Sequence, residues 1–203
     1  MKKGFTLIEL LVVIGILGIL MAVLVGGFSK APRQAEKTKC QELVANTATA
    51  LVAVFDENGI WPQALIKNHN SEQGLDAVAA YPLAKAGMSL TKDDNARKTT
   101  GLDKFGVISP WAQLLVKNKG TSASESDKVP SGGTIRDHRL RYALDLDGDG
   151  VIESVKIGGE TVNIRATAVV WCCGADGKIE TYKRGQRKDD VYSWTYGQTQ
   201  GVK

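Results

Sequence analysis

Hydrophobic residues run from Phe5 to Phe28 with one charge, Glu9, behind the short head Met1-Lys2-Lys3-Gly4. As a helix rising about 1.5 Å per residue, that run reaches roughly 36 Å, more than the roughly 30 Å hydrocarbon core of a bilayer. The pattern therefore predicts a membrane-spanning helix with Lys2 and Lys3 on the cytoplasmic side. An ordinary signal peptide has a shorter apolar region that ends in a small-residue cleavage site. From Arg33 to Asp56 the pattern changes: charges crowd the first turns, and Val44, Ala48, Leu51 and Phe55 recur at steps of four, three and four. That spacing is one face of an amphipathic helix. Gly26, Gly27 and Pro32 fall between the two halves. Each glycine costs about 1 kcal/mol against alanine and proline removes a donor, which predicts local unwinding or a membrane-exit hinge. The turn signal Glu57-Asn58-Gly59-Ile60-Trp61-Pro62 closes the helix.

Beyond it the pattern shortens. Residues Gln73 to Ala86 predict a short helix, Leu114 to Lys117 a short apolar element, and Asn118 to Gly133, rich in Ser, Gly and charge, an exposed loop. Leu140, Tyr142, Leu144 and Leu146 then alternate strictly, Asp147-Gly148-Asp149-Gly150 reads as a turn, and Ile152–Ile157 and Val162–Trp171 continue in β-rich residues. The expectation is one antiparallel meander whose apolar face covers the amphipathic half of the long helix, an α+β domain. The aromatic segment Val191–Tyr196 ends it as an edge strand or covering tail, with Trp194 in the core.

Length and charge narrow the function. At 203 residues the chain suits one domain plus an appended segment. A net charge of +4 spread along the chain gives no nucleic-acid groove, and His69 and His138 stand in no triad or metal-ligand spacing. No nucleophile–base pair and no phosphate loop is recognisable, so an enzyme is not expected. The cysteines are Cys40, Cys172 and Cys173, an odd set. Outside the cytoplasm Cys40 can pair with either Cys172 or Cys173; alternatively all are buried small apolar residues.

Glu9 is the residue that a plain signal anchor does not explain, because a carboxylate inside an apolar span needs a partner or must neutralise. The stretch Lys3-Gly4-Phe5-Thr6-Leu7-Ile8-Glu9-Leu10-Leu11-Val12-Val13-Ile14 resembles the class III signal of type IV pilins and type II secretion pseudopilins. The resemblance implies a peptidase cut between Gly4 and Phe5, N-methylation of Phe5, and a charged pairing of the Phe5 amine with Glu9 of a neighbouring subunit during assembly. It also implies the pilin-like fold: residues 1–4 as leader, 5–28 as transmembrane and polymerisation helix, 29–56 as its amphipathic half, and 57–203 as a periplasmic or extracellular α+β domain.

Within that domain, Asn58-Gly59-Ile60-Trp61-Pro62 followed by Glu72-Gln73-Gly74-Leu75 resembles major pseudopilins of type II secretion. So does Gly174-Ala175-Asp176-Gly177 with the closing Asp189-Asp190-Val191-Tyr192-Ser193-Trp194, which resembles their C-terminal calcium loop and names Asp176, Asp190 and Ser193 as ligands. Lys178, Lys183, Arg184, Arg187 and Lys188 stand where that family's loop is short and glycine-rich, and they oppose a cation. A weaker calcium candidate is Asp145-Leu146-Asp147-Gly148-Asp149-Gly150, which places Asp145, Asp147 and Asp149 as in a calcium loop but has Lys156 where a closing glutamate belongs. The expected protein is a single-pass inner-membrane subunit of a secretion pseudopilus. Its partners would be copies of itself, minor pseudopilins or pilins, the assembly platform, the prepilin peptidase and methyltransferase, and lipid. A type IV pilus subunit, or an anchored module that binds calcium or a ligand without polymerising, is the alternative.

Overall fold

The computed structural model describes residues 6–28, 31–85, 102–180, 189–195 and 198–200, and the chain divides into two compact units, Met1–Glu36 and Lys37–Lys203. In the first unit α1 spans Leu7–Phe28. From Leu7 to Met21 its apolar side chains stand out into solvent on every face, from 83% exposed at Leu7 to 48% at Val13. Among the described residues no helix is long and apolar enough to cross a membrane. The span expected over 5–28 thus rests on the sequence rather than on α1 as described.

Helix α2 spans Ala31–Asn58, and Ser29 and Lys30, part of the expected hinge, lie outside the described residues. In the second unit its buried stripe is Cys40, Val44, Thr47, Leu51 and Val54, with Ala48 and Phe55 half-buried beside it. The stripe is centred one position away from the predicted face, because Thr47 is admitted to the core. Its hydroxyl donates to the Leu43 carbonyl at 2.7 Å, which removes the cost of an unpaired polar group. Gly59, at φ 67°, caps the helix by donating its N–H to Phe55 at 2.7 Å. Trp61 then folds back on Phe55, ring centroids 4.8 Å apart, and its indole N–H donates to the Asp145 carbonyl.

Short helices follow: α3 (Gln63–Asn68), α4 (Ala77–Lys85), α5 (Leu102–Phe105) and α6 (Pro110–Lys119). The helix expected from Gln73 starts later because Leu75 N–H is bonded to Leu140 at 2.8 Å, and Asp76 caps α4 by accepting from Val78 and Ala79 N–H. The apolar element at Leu114–Lys117 is the end of α6, which Pro110 opens at a position where a missing N–H costs nothing. The supposed exposed loop from Asn118 to Gly133 is folded around two buried anchors, Ala123 and Val129, with a 3₁₀ turn at Gly120–Ser122. Arg139 fixes its far side, donating to the Glu125 carboxylate and, at 2.7 Å, to the Phe105 carbonyl.

The strands are β1 (Arg141–Leu144), β2 (Val151–Ile157), β3 (Glu160–Arg165), β4 (Ala168–Cys172), β5 (Val191–Tyr192) and β6 (Thr199–Gln200). They form two antiparallel three-stranded sheets among the described residues, β1-β4-β5 and β2-β3-β6, rather than the single meander expected. The reason lies in the pairing: β1 takes β4 as its partner, Leu144 opposite Ala168, so the intervening hairpin is left to build a sheet of its own. Leu146, expected in a strand, is half exposed in the turn instead. Strand β1 is buried on both faces. Tyr142 and Leu144 face the main core with α2, and Ala143 joins a second core made by Ile152, Val155, Ile157, Val162, Ile164, Trp171 and Trp194. Asn70, at φ 52°, stitches the sheets: its N–H donates to Tyr142, its side-chain amide donates to Ser154, and its side-chain oxygen accepts from Lys156 N–H.

Candidate functional site

Gly4 and Phe5, the expected cleavage boundary, lie outside the described residues. Immediately after them Thr6 and Glu9 form a reciprocal cap on α1. The Glu9 carboxylate accepts from Thr6 N–H at 2.8 Å and from its hydroxyl at 2.7 Å, and Thr6 Oγ1 lies 3.4 Å from Glu9 N. This is the capping-box arrangement, which satisfies donors that a helix start leaves open. Glu9 thus has a local task within its own chain, one that the sequence spacing Thr-x-x-Glu already encoded and that the reading by resemblance passed over.

The two acidic loops differ. Asp145, Asp147 and Asp149 bring carboxylate oxygens within 4.8 Å of one another. Asp145 is buried and accepts from Gly148 and Gly150 N–H, each at 2.8 Å, whereas Asp147 and Asp149 are exposed. Among the described residues only the first loop gathers three acidic groups closely enough to share an ion; the second loop brings no third acidic, histidine or cysteine ligand to Asp176 and Asp190. Asp190 is buried and its oxygens accept from Gly174 N–H at 2.9 Å, Glu180 N–H at 2.8 Å and the Tyr192 hydroxyl at 3.1 Å. Three donors thus occupy the Asp190 carboxylate within its own loop, so a cation there would have to share it with N–H and O–H groups. Ser193 Oγ is likewise taken, accepting from Val170 N–H at 2.9 Å, and Asp176 accepts from Lys178 N–H. The loop is packed tightly: a Cβ on Gly132 would sit 2.6 Å from the Asp176 carbonyl, so only glycine lets these backbones meet.

The family model of the prokaryotic N-terminal methylation motif matches residues 1–25. The chain is similar to type II secretion system core protein G of Pseudomonas aeruginosa, 31% identical over 59% of this chain and 78% of that protein. It is also similar to a type IV major pilin protein of Neisseria gonorrhoeae, 35% identical over 81% of this chain and 82% of that one. A fimbrial protein of Eikenella corrodens is 32% identical over 60% of this chain and 76% of its own. The chain belongs to the type IV pilin-like family. No solved structure matches it.

In this pilin-like chain the cysteines are distributed between two surroundings. Cys40 on α2 and Cys172 at the end of β4 come together as a bonded pair, while Cys173 is a buried thiol. Adjacent residues on a strand point to opposite faces, and that alternation selects Cys172 for the α2 side. Cys173 meets a group that no sequence spacing announced. His138 Nε2–H donates to the Gly132 carbonyl at 2.8 Å, which leaves Nδ1 to accept from the Ser109 hydroxyl at 3.0 Å, with Cys173 Sγ 3.4 Å away. All three side chains are fully buried. Burial holds the His138 imidazole below its ordinary range and the Cys173 thiol well above its own. A neutral imidazole and an un-ionised thiol with no access to solvent act as packing and hydrogen-bond groups, not as a nucleophile and base.

Proposed function

We propose that this chain is a non-enzymatic structural subunit of a type II secretion pseudopilus, cut between Gly4 and Phe5, methylated on the Phe5 amine and polymerised into a helical filament. One observation carries the reading: a methylation motif over residues 1–25 is joined to a helix whose apolar side chains stand exposed from Leu7 to Met21. Apolar surface on every face of a helix is stable against lipid or against other helices of its kind, not in water. Before assembly the run from Phe5 to Phe28 holds the subunit in the inner membrane as a single span, with the domain from Glu57 onward on the far side. In the filament the freed ammonium of Phe5 pairs with Glu9 of a neighbour and sets the register.

Two features support secretion over adhesion: the Glu72-Gln73-Gly74-Leu75 element and the similarity to core protein G. The second reading, a type IV pilus subunit, draws on the longer match to the Neisseria pilin, 81% of this chain against 59%. Deleting the gene in its host decides between them. Loss of secreted proteins with surface fibres intact supports the first, and loss of surface fibres with secretion intact supports the second. Mass spectrometry of the native N-terminus tests both at once. Methylated Phe5 is expected, and a retained Met1 overturns the filament in favour of an anchored module.

A further inference from the structure

The second unit carries two surfaces of unlike charge at opposite ends of β2. One is a cleft of about 720 Å³ between the β2–β3 turn, the start of β1 and the segment after β4, with Arg141, Lys156 and Lys178 in its walls. Among the described residues none of these three cations forms an ion pair, and around one depression they repel one another. Glu72 and Glu160 also line the cleft. Glu160 is already engaged, and Glu72 is exposed, so cations still prevail over free carboxylates there. The other surface is the turn that leads into β2, where Asp147 and Asp149 are exposed beside Leu146, itself 50% exposed. The bond from the Trp61 indole to the Asp145 carbonyl sets this turn against the end of α2. Asp56 and Glu57 are exposed at that end, and Ile60 is 72% exposed. Acidic groups and uncovered apolar side chains therefore share one tip of the unit.

Strand β2 holds the two surfaces apart. At about 3.3 Å per residue, the run from Asp149 to Lys156 separates them by roughly 20 Å. The acidic tip thus cannot reach the basic cleft of its own chain, but it can reach that of another copy. Subunits packed through the same N-terminal helix stand parallel, which excludes an antiparallel pair and leaves a head-to-tail joint. Such a joint uses two different patches and propagates as an open array. We propose that the acidic tip of one subunit docks into the basic cleft of the next along the filament. Asp147 and Asp149 meet Arg141, Lys156 and Lys178 there, and Leu146 meets Ile179, the apolar side chain in the cleft wall. The inference rests on the filament reading. A contact this small is weak alone, and helix packing supplies the high effective concentration that lets it form.

Filaments sheared from cells that make the full chain with Asp147→Cys and Lys178→Cys test this. Both side chains are exposed and Cys173 is buried. A bond between the two substituted positions within one chain is out of reach, since a disulfide needs Cα atoms within about 7 Å. Oxidation by copper phenanthroline in air is expected to give a ladder of dimers and larger multimers, with each single variant remaining monomeric. Charge reversal gives a second readout. Asp147→Lys and Lys178→Glu are each expected to cut filament yield about tenfold at an unchanged melting temperature, and the two together to restore most of it. Filaments without a ladder, single reversals that leave the yield unchanged, or a double reversal no better than the singles each overturn the docking and leave the filament reading standing. A wild type that builds no filament overturns both. A link from Lys178→Cys alone to a protein of another mass gives the cleft to a different partner and equally overturns the proposal.

Discussion

Helix α1 and the Tyr142–Leu144 stretch of β1 are both rich in large apolar groups, and they meet opposite fates. In β1 Tyr142, Ala143 and Leu144 are at most 1% exposed, because the chain supplies a layer on either side of them. Along α1 nothing in its own unit covers Leu7, Ile8 or Leu10, which remain 60–83% exposed. Fully burying a side chain of that size is worth about 1.5–3 kcal/mol, so α1 holds a large unmet gain that other molecules must supply. The second unit holds its gain internally. Stability therefore belongs to one region and assembly to the other, and substitutions are expected to separate them.

The largest expected separation is at Glu9. Glu9→Ala removes the cap on α1 and, with it, the charge that the proposed filament pairs with the neighbouring Phe5 amine. Filament yield is expected to collapse, with the protein still inserted in the membrane and the melting temperature of the second unit unmoved. Glu9→Gln tells the two tasks apart, since glutamine still serves in a capping box but carries no charge. Electron microscopy of sheared filaments is expected to show loss in both variants; abundant filaments from Glu9→Gln would leave Glu9 as a helix cap only.

The reverse separation comes from Cys40 and Cys172. Their link closes a sequence separation of 132 and ties α2 to β4, and removing such a link from a domain costs about 2–5 kcal/mol. Cys40→Ser is expected to lower the urea midpoint of the full chain by that measure while processing at Gly4 proceeds. Intact mass with and without reductant checks the pairing directly: an unchanged mass leaves both as thiols, and the destabilisation then reduces to that of a buried substitution.

This division was legible in the sequence where the signal is periodic or local. The apolar run, the amphipathic stripe, the stop at Gly59 and the burial of Trp194 all follow from spacing and turn chemistry. The split into two sheets was not, because strand order depends on which partner β1 meets, and Leu144 pairs with Ala168 across a hairpin that composition alone reads as its neighbour. The Ser109–His138–Cys173 cluster was hidden for the same reason: its members meet only through the fold. At the C-terminal loop Asp176 and Asp190 match a family pattern in identity, yet Asp190 points inward to N–H donors. Spacing names residue types and says nothing about which donors reach them first.

Within the second unit, pH sharpens the picture further, because two buried groups pull in opposite directions. Burial, offset in part by the N–H groups of Glu180 and Gly174 and the Tyr192 hydroxyl, pushes the Asp190 carboxyl up from 3.8 to about 6. Between those values the folded state holds a proton that the unfolded chain releases, so this group's share of stability falls as pH rises through that window. His138 is held below 6.5 by burial. As pH drops below 6.5, the unfolded chain takes up a proton that the folded state refuses, so this share is lost on acidification. The two slopes therefore oppose each other in the wild type. Asp190→Asn removes the falling slope, and its melting temperature is expected to climb more steeply than the wild type's between about pH 4 and 6.5, a divergence of about 1–3 kcal/mol. Parallel curves for the two proteins would show that Asp190 titrates as it does in the unfolded chain.

Calcium offers the smallest effect and the finest discrimination. The Asp145, Asp147 and Asp149 carboxylates converge without a closing glutamate, since Lys156 occupies that place, so affinity is expected to be weak. A ligand at ten times its dissociation constant adds about 1.4 kcal/mol, or about 2–6 °C for a domain of this size. The effect is expected at the first loop rather than the second, where N–H and O–H donors already occupy the Asp190 carboxylate. Asp147→Asn is therefore expected to abolish a calcium-induced rise in melting temperature. Asp176→Asn is expected to preserve it, because Asp176 is not part of the first loop's cluster and its carboxylate accepts from Lys178 N–H. A rise that survives Asp147→Asn and vanishes with Asp176→Asn would mean that the cation prises Asp190 from its donors and rebuilds the C-terminal loop. A melting curve unmoved by millimolar calcium or by chelator in the wild type would make both loops hydrogen-bonded turns, held by backbone donors alone.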